Sequence, residues 1–324
     1  MIVRWGLGEL SPLLDELGCR RPLLVTTERW RDLDVGVERR FDGVRPHSGR
    51  EGVEAAIRAA SGADGVVALG GGSAIDTGKA VSAAASLPLV SVPTTYSGAE
   101  WTPFFGVRDE VGRTKGAGAG ARLAGIVYEP ELTRKLPPGE SGGTALNALA
   151  HCAEALYVAG RSEEGDSEAL AGAALISEWL PRVLAAPEDL SARRALLEGA
   201  MHAGAALAAA GLGLGHAMAQ ALGGRYGLPH GALNAICLPP ALRFNEPAAP
   251  AALSALAAAM GVPDAAARAQ ELARLSGFDR LRDLGVPEDE LGLVAEQTAV
   301  RAGAKANARA ATPAEIEELL RSVW

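Results

Sequence analysis

Short apolar runs of strand length alternate with helical stretches through the N-terminal part of the chain. Pro22-Leu-Leu-Val-Thr26, Gly65-Val-Val-Ala-Leu69, Pro88-Leu-Val-Ser-Val92 and Ala124-Gly-Ile-Val-Tyr128 are each bounded by turn residues. Between them, Glu51 to Ala60 places Val53, Ile57 and Ala60 on one helical face, and Ala74 to Ala85 is helical in period. Strand, helix, strand, helix predicts a parallel sheet with crossover helices. Thr102 to Lys115 predicts a hairpin instead: Phe104 to Val107 enters, Asp109-Glu-Val-Gly112 turns, and the chain returns to Lys115. Beyond Pro137-Pro138 the pattern is helical throughout, as in Ser167–Val183, Leu190–Ala210, Pro250–Met260 and Pro313–Val323. Neither proline extends a helix from inside, so the pair marks a boundary. The expectation is an α/β N-terminal nucleotide-binding domain over 1–138 and an all-α C-terminal domain over 139–324, with any ligand cleft between them.

Composition refines this picture. Aromatic residues are 4% of the 324, so the core must be built from Ala, Leu and Val. Thirty-one basic against 39 acidic residues leave a net charge of −8, and no basic stripe is present, which argues against a nucleic-acid partner. Cys19, Cys152 and Cys237 have no ligand spacing and no even count, so a disulfide framework is not expected. Met1-Ile-Val-Arg-Trp-Gly has no signal-peptide pattern, and apolar windows such as Ala203 to Leu214 fall short of the roughly 20 residues of a membrane span. A soluble cytoplasmic protein without a membrane partner is expected.

Two loops carry candidate chemistry. Asp64-Gly-Val-Val-Ala-Leu-Gly70-Gly71-Gly72-Ser73-Ala-Ile-Asp76-Thr-Gly-Lys79 runs from a strand through three glycines into a helix. A helix N-terminus offers unpaired N–H groups and partial positive charge to a phosphate, and glycine permits close approach and positive φ. Ser73 is expected as N-cap, with Asp76 bringing negative charge to the first turn. The loop is not GxGxxG and does not follow the first strand, so it is not the usual dinucleotide fingerprint. Pro93-Thr94-Thr95-Tyr96-Ser97-Gly98 follows the next strand and can bring the Thr94, Thr95 and Ser97 hydroxyls to the same phosphates or ribose, with Tyr96 a candidate substrate contact.

Three of the five histidines stand in informative places. Asn147 and His151 are i,i+4 on one helix face, and His216 and His230 flank Gly223-Gly-Arg-Tyr-Gly-Leu-Pro229. Three imidazoles and one oxygen could hold a divalent transition metal, although a neutral amide is a poorer ligand than a carboxylate. His47 reads as a loop residue and His202 as a hydrogen-bonded helix residue.

Gly70-Gly-Gly-Ser-Ala-Ile-Asp-Thr-Gly-Lys79 and Val92-Pro-Thr-Thr-Tyr-Ser-Gly-Ala-Glu100 resemble nucleotide-binding segments of the iron-containing alcohol dehydrogenase family. Ala145-Leu-Asn-Ala-Leu-Ala-His151, Gly213-Leu-Gly-His216 and Ala221 through His230 to Ala235 are similar too. Within that family the Thr-Thr-Tyr loop, the Asn-Ala-Leu-Ala-His helix and Tyr128-Glu-Pro-Glu-Leu-Thr133 look most like maleylacetate reductases. The resemblance implies a dehydroquinate synthase-like fold, a homodimer, and NADH or NADPH along the glycine loop. It also implies, in metal-dependent relatives, an Asp and three His that map onto Asn147, His151, His216 and His230. The Asp is missing here; maleylacetate reductases share the Asn and generally work without metal. They commonly have His-His at Gly215-His216 and a further His at Gln220, so the polarity of this site differs.

From this follow the site expectations. His151, His216 and His230, protonated, are to donate hydrogen bonds and a proton to an enolate or alkoxide. Lys115, which matches a lysine the family places near its site, and Arg243 are candidates for an anionic carbonyl substrate. Whether a divalent iron or zinc is bound is left open, leaning towards none. At the end of the strand Pro22–Thr26, Thr27 stands where NAD-selective relatives carry Asp against the ribose, so NADPH is expected to serve as well as NADH. The alternatives are a metal-dependent alcohol dehydrogenase and a dehydroquinate synthase-type lyase; the lyase needs a rich cationic site that four lysines supply poorly.

Overall fold

The computed structural model describes residues 1–45, 49–109 and 114–324, with the backbone alone at 108–109, 114–115 and 117. Two compact units emerge. The first comprises Met1–Thr95 and Ala99–Thr133, the second Tyr96–Gly98 and Arg134–Trp324. The division thus falls at Thr133, ahead of Pro137-Pro138, and Pro138 opens a helix at its first position, where its missing N–H costs nothing.

The first unit contains β1 (Ile2–Trp5), α1 (Leu10–Glu16), β2 (Leu23–Thr26), β3 (Arg40–Phe41), α2 (Arg50–Ala59), β4 (Val66–Gly70), α3 (Gly72–Ala85), β5 (Pro88–Pro93), β6 (Phe105–Asp109), β7 (Thr114–Gly118) and β8 (Arg122–Tyr128). Six strands form one parallel sheet in the order β1-β8-β5-β4-β2-β3. The inner strands β2 and β4 are buried at every position, as continuous apolar runs in a sheet covered on both faces must be. Leu24, Val67, Leu69, Val90 and Val127 pack on one face with Leu10 and Leu13 of α1; Leu23, Val25, Val66, Ala68 and Leu89 pack on the other with Ala56 of α2 and Ile75 and Val81 of α3. Sequence patterning misses β1 and β3. Both are edge strands, one half-buried along its length and one of two residues, so neither shows a contrast of faces. The hairpin forms as β6–β7, with Phe105 opposite Gly118. Its turn at Glu110 to Gly112 lies outside the described residues, as does His47.

The second unit is helical: α4 (Pro138–Ala155), α5 (Glu163–Ala185), α6 (Leu190–Ala210), α7 (Leu214–Tyr226), α8 (His230–Asn245), α9 (Pro250–Ala259), α10 (Ala265–Leu275), α11 (Leu291–Ala299), α12 (Ala302–Ala306) and α13 (Pro313–Ser322). Its core is Ala- and Leu-rich, and small residues let helices close up: a Cβ on Gly172 of α5 would lie 3.0 Å from the Gly199 carbonyl of α6. No single helix among the described residues is long and apolar enough to cross a membrane. All three cysteines are free and buried.

One buried carboxyl in the first unit has a stability consequence. Glu100 is 1% exposed; its Oε1 accepts from the Tyr128 hydroxyl at 2.8 Å, while its Oε2 has no partner among the described residues. Burial pushes the carboxyl above the usual range, against the Tyr128 bond and the pull of Lys79. A carboxyl raised on folding contributes stability that is present below its unfolded value and lost as pH rises through the folded one. Glu100→Gln is therefore expected to raise the melting temperature at pH 7.5 by a few degrees, on the order of 1 kcal/mol, and to lose that advantage towards pH 4. Thermal unfolding of both proteins across that range checks it; a gain that does not change with pH would contradict the charge origin.

Candidate active site

The strand order places a topological switch point between β2 and β4. From β2 the chain moves to β3 on one side and then to β4 on the other, and in open α/β sheets ligands bind at the carboxyl ends beside such a reversal. The two strand ends are pinned there, Thr26 Oγ1 donating to the Leu69 carbonyl at 2.8 Å. Thr27 follows β2, half-buried, with Glu28 and Arg29 exposed beside it. Gly70 to Ser73 follow β4. Gly70 has φ +146°, and a Cβ there would stand 2.7 Å from that of Ala74, so glycine is required. Gly78, one turn further than the phosphate loop, lets α3 lie on the sheet: its Cβ would sit 2.6 Å from that of Ala68.

Gly71, next in the loop, has φ −80°, so the positive φ falls on Gly70 alone among the three glycines. Two details differ from the sequence expectation. Gly71 is the N-cap of α3 and Ser73 lies inside the first turn, because the helix starts two residues earlier than a serine cap would require; no side chain caps it. Asp76 consequently falls in the second turn, where its Oδ2 accepts the Gly106 N–H of the hairpin at 3.1 Å and its Oδ1 faces Lys79 at 3.8 Å. The uncapped N-terminus of this 14-residue helix, with open space where a Cβ of Gly72 would be, fits a pyrophosphate. The second loop lies alongside: the Thr94 N–H donates to the Gly70 carbonyl at 3.0 Å, and a Cβ on Gly71 would approach Thr95 Cγ2 to 3.0 Å.

The next residues of that loop belong to the helical unit. Tyr96 is fully buried, its hydroxyl accepting from Arg193 at 3.0 Å, so it is a structural anchor and not the substrate contact expected of it. The Ser97 carbonyl accepts from Asn147 Nδ2 at 2.9 Å. A Cβ on Gly98 would come 3.5 Å from His151 Nδ1.

The histidines do come together. His151 from α4 and His216 from α7 stack with ring centroids 4.6 Å apart and planes 12° from parallel; His230, first residue of α8, tilts towards His216 at 5.9 Å. The Gly223–Pro229 segment between His216 and His230 is the end of α7 and a three-residue turn. The residue that organises the cluster is Glu154 of α4, which the sequence reading did not single out. Its carboxylate is fully buried and accepts three bonds: from Gly213 N–H at 2.6 Å, from His216 N–H at 3.0 Å and from His216 Nδ1 at 2.7 Å. Gly213 is the N-cap of α7 and cannot cap it; one tertiary carboxylate satisfies both the N-cap and the N3 donors, as the two halves of a capping box would. The same contact puts the His216 proton on Nδ1 and leaves Nε2 as a buried acceptor without a partner among the described residues. His230 has the opposite sense. Its Nε2 lies 3.0 Å from Asn234 Nδ2, an amide that also donates to Asn147 Oδ1 at 2.7 Å, so a neutral His230 carries its proton on Nδ1. The only sequence signal for Glu154 and Asn234 is their i+3 and i+4 spacing from His151 and His230.

The proton role expected of His151 needs correction. Burial first, then His216 and His230, hold its imidazole well below the ordinary histidine range, so it is neutral at neutral pH and supplies no cation. Nor does the donor set fit a metal. Parallel ring planes do not converge their lone pairs on one ion, the Asn147 amide is committed to Ser97 and Asn234, and no group of three His, Cys, Asp or Glu among the described residues could hold one. Arg243 is removed from the site: about 20 Å along α8 from His230 at 1.5 Å per residue, it pairs on the surface with Asp264 and Glu246. Lys115 lies in β7 opposite Arg108, with its side chain outside the description. His202 bonds Glu168 at 2.6 Å.

The fold and the buried histidine cluster are those of an oxidoreductase. The chain belongs to the iron-containing alcohol dehydrogenase family, which it matches over residues 3–124, and over residues 142–324 it matches the Fe-containing alcohol dehydrogenase family, C-terminal. Maleylacetate reductase of Burkholderia cepacia is 37% identical over 308 residues, 91% of this chain and 88% of that one. The crystal structure of maleylacetate reductase from Agrobacterium tumefaciens superposes with a TM-score of 0.91 at 32% identity, over 100% of this chain and 95% of that one. An iron-containing alcohol dehydrogenase from Corynebacterium glutamicum gives 0.92 at 30%, over 100% and 94%. The fold class is thus the expected one.

Gly71→Val tests the loop. Its φ suits valine, but the side chain meets Thr95 and the space a phosphate needs. A folded protein with roughly tenfold or weaker NADH binding is expected in a fluorescence titration; an unchanged titration removes the loop from the cofactor site.

Proposed function

We propose that the protein is a maleylacetate reductase-like enzyme that uses NAD(P)H to reduce the carbon–carbon double bond conjugated to the ketone of maleylacetate, giving 3-oxoadipate. The observation that carries this reading is Asn147. Tied as an amide between the Ser97 carbonyl and Asn234, it leaves no carboxylate at position 147 and no convergent ligand set, the Glu154 carboxylate being taken up by Gly213 and His216, so charge developing on the substrate oxygen must be met by N–H donors. The reductases among the relatives, at 37% identity for the Burkholderia protein, support the same substrate class.

When bound along Gly70 to Ser73, with Thr27, Thr94, Thr95 and Ser97 as further contacts, NAD(P)H supplies a hydride. Delivered to the carbon β to the ketone, that hydride would leave negative charge on the ketone oxygen as an enolate, and the chain's own task would be to hold that oxygen and pass one proton to the α carbon. His230 is the exposed member of the cluster, and its Nδ1–H is the donor for the enolate oxygen and the exchange point with solvent. His216, held by Glu154, offers Nε2 as the complementary acceptor. The neutral His151 stacks on His216 and keeps its face dry. Cytoplasmic location and a homodimer complete the reading on the strength of the family resemblance.

Oxidation of NADH and of NADPH by the purified protein with maleylacetate and with simple aldehydes and ketones tests this. Turnover of maleylacetate is expected with both nucleotides, their specificity constants within roughly a hundredfold, since Thr27 brings no carboxylate to repel a 2′-phosphate. Turnover confined to simple carbonyls would refute it.

The competing reading, an alcohol dehydrogenase that polarises its carbonyl on a divalent ion, is separated by metal content. Far less than one metal per chain is expected, with activity that survives chelation. Asn147→Asp is expected to raise affinity for zinc or ferrous iron, because a full charge about 2 Å from the ion is restored at i,i+4 from His151. Stoichiometric metal, with activity lost on chelation and regained on addition, would show that the amide suffices as a ligand.

A further inference from the structure

Arginines set into the helical unit have partners. Arg193 donates to Tyr96 and the Pro187 carbonyl, Arg225 to Glu290, Arg268 to Ser177 and Glu271, and Arg309 to Glu315. Arg301, between α11 and α12, is different. It is half-buried, its Nε is closed off from solvent without a hydrogen-bond partner among the described residues, and no carboxylate lies within ion-pair distance among those residues. Burial alone pulls its guanidinium below the ordinary value, with no acidic neighbour opposing. A partly desolvated charge with no counter-charge costs stability, so its presence points to an anion that is not part of this chain.

Its position says which anion. Arg301 Nη2 lies 3.8 Å from where a Cβ of Gly224 would stand. Gly223 and Gly224 fall on the same face of α7 as His216 and Gln220, at i+7, i+8 and i+4. Gly224 is about 12 Å along the axis from His216, at 1.5 Å per residue. From Gly223 to His230 the chain is solvent-accessible throughout, and the His230 ring is 5.9 Å from that of His216. Beside Gly224, which carries no side chain, an uncompensated guanidinium therefore stands at the far end of the helix that bears His216. We propose that Arg301 binds the carboxylate of the substrate remote from the reacting carbon. This rests on the dicarboxylate reading above and names the specificity-determining residue for it. The planar fork of guanidinium suits bidentate pairing with a carboxylate, which a simple ketone lacks.

Adipate, a six-carbon dicarboxylate that cannot be reduced, reads this without turnover. Calorimetric titration of the full chain is expected to show adipate binding the wild type, binding Arg301→Gln roughly tenfold or more weakly, and recovering part of the affinity in Arg301→Lys. NADH titration is expected to be the same in all three, and the unliganded melting temperature of Arg301→Gln no lower than wild type, because the charge removed had no partner. Equal adipate affinity in wild type and Arg301→Gln, or none in the wild type, overturns the assignment. So does a loss confined to NADH, which would give Arg301 to a nucleotide phosphate, and so does failure of both variants to fold, which would make it structural. Since adipate needs no turnover, a wild type inactive on maleylacetate would refute the proposed reaction and leave the Arg301 result to stand or fall separately.

Discussion

The Glu154 carboxylate holds the site together. A fully buried carboxylate is tolerated only where its lone pairs are taken up, and here two backbone N–H groups at the positive end of α7 and one imidazole N–H take them. The approach depends on missing side chains: Cβ atoms on Gly213 and Gly215 would stand 3.0 Å from the Glu154 carboxyl group. One residue thus starts a helix, fixes the distance between α4 and α7, and chooses the tautomer of His216. Shortening it would release three donors at once, two of them backbone groups with no alternative inside the core.

The tautomers give the cluster its direction. Imidazoles in contact are chemically alike, and their environments alone distinguish them. Glu154 takes the proton side of His216, Asn234 takes the lone-pair side of His230, and burial keeps His151 uncharged. An acceptor and a donor are therefore presented by neighbouring rings 5.9 Å apart. That polarity is what a reaction through an enolate requires, since oxygen must be hydrogen-bonded before carbon is protonated.

Much of this was legible in the chain and some was not, for identifiable reasons. Inner strands β2, β4, β5 and β8 are apolar runs between turn residues, and the long helices repeat at 3.6, so burial writes them plainly. Edge strands β1 and β3 have no such contrast. The glycine loop and the three histidines were visible as residue types at telling spacings. Their partners were not, because Glu154 reads as one more polar residue on an Ala-rich helix until α7 is laid against it. The Ser73 cap was misplaced because three consecutive glycines leave the helix start undetermined by a couple of residues, and the structure settles it at Gly71. Tyr96 and Arg243 were misjudged by proximity in sequence; a buried hydroxyl on Arg193 and a surface pair with Asp264 are tertiary facts.

Asn147 has a second consequence. Its Nδ2 donates to the Ser97 carbonyl, and this bond ties α4 to the segment that directly continues the Thr94-Thr95 loop. A carboxylate at 147 would turn a donor into an acceptor facing that carbonyl, and the Asn234 amide could still satisfy only one of its oxygens. A cation placed among them would remove the repulsion; without one the segment would have to move. The amide is therefore more than a weakened ligand: it is the group that joins the Ser97 carbonyl to the histidine helix and to Asn234. Neutrality at this position and the geometry of the loop are thus one constraint, and a change that restores the charge must also supply a cation or give up the Ser97 contact.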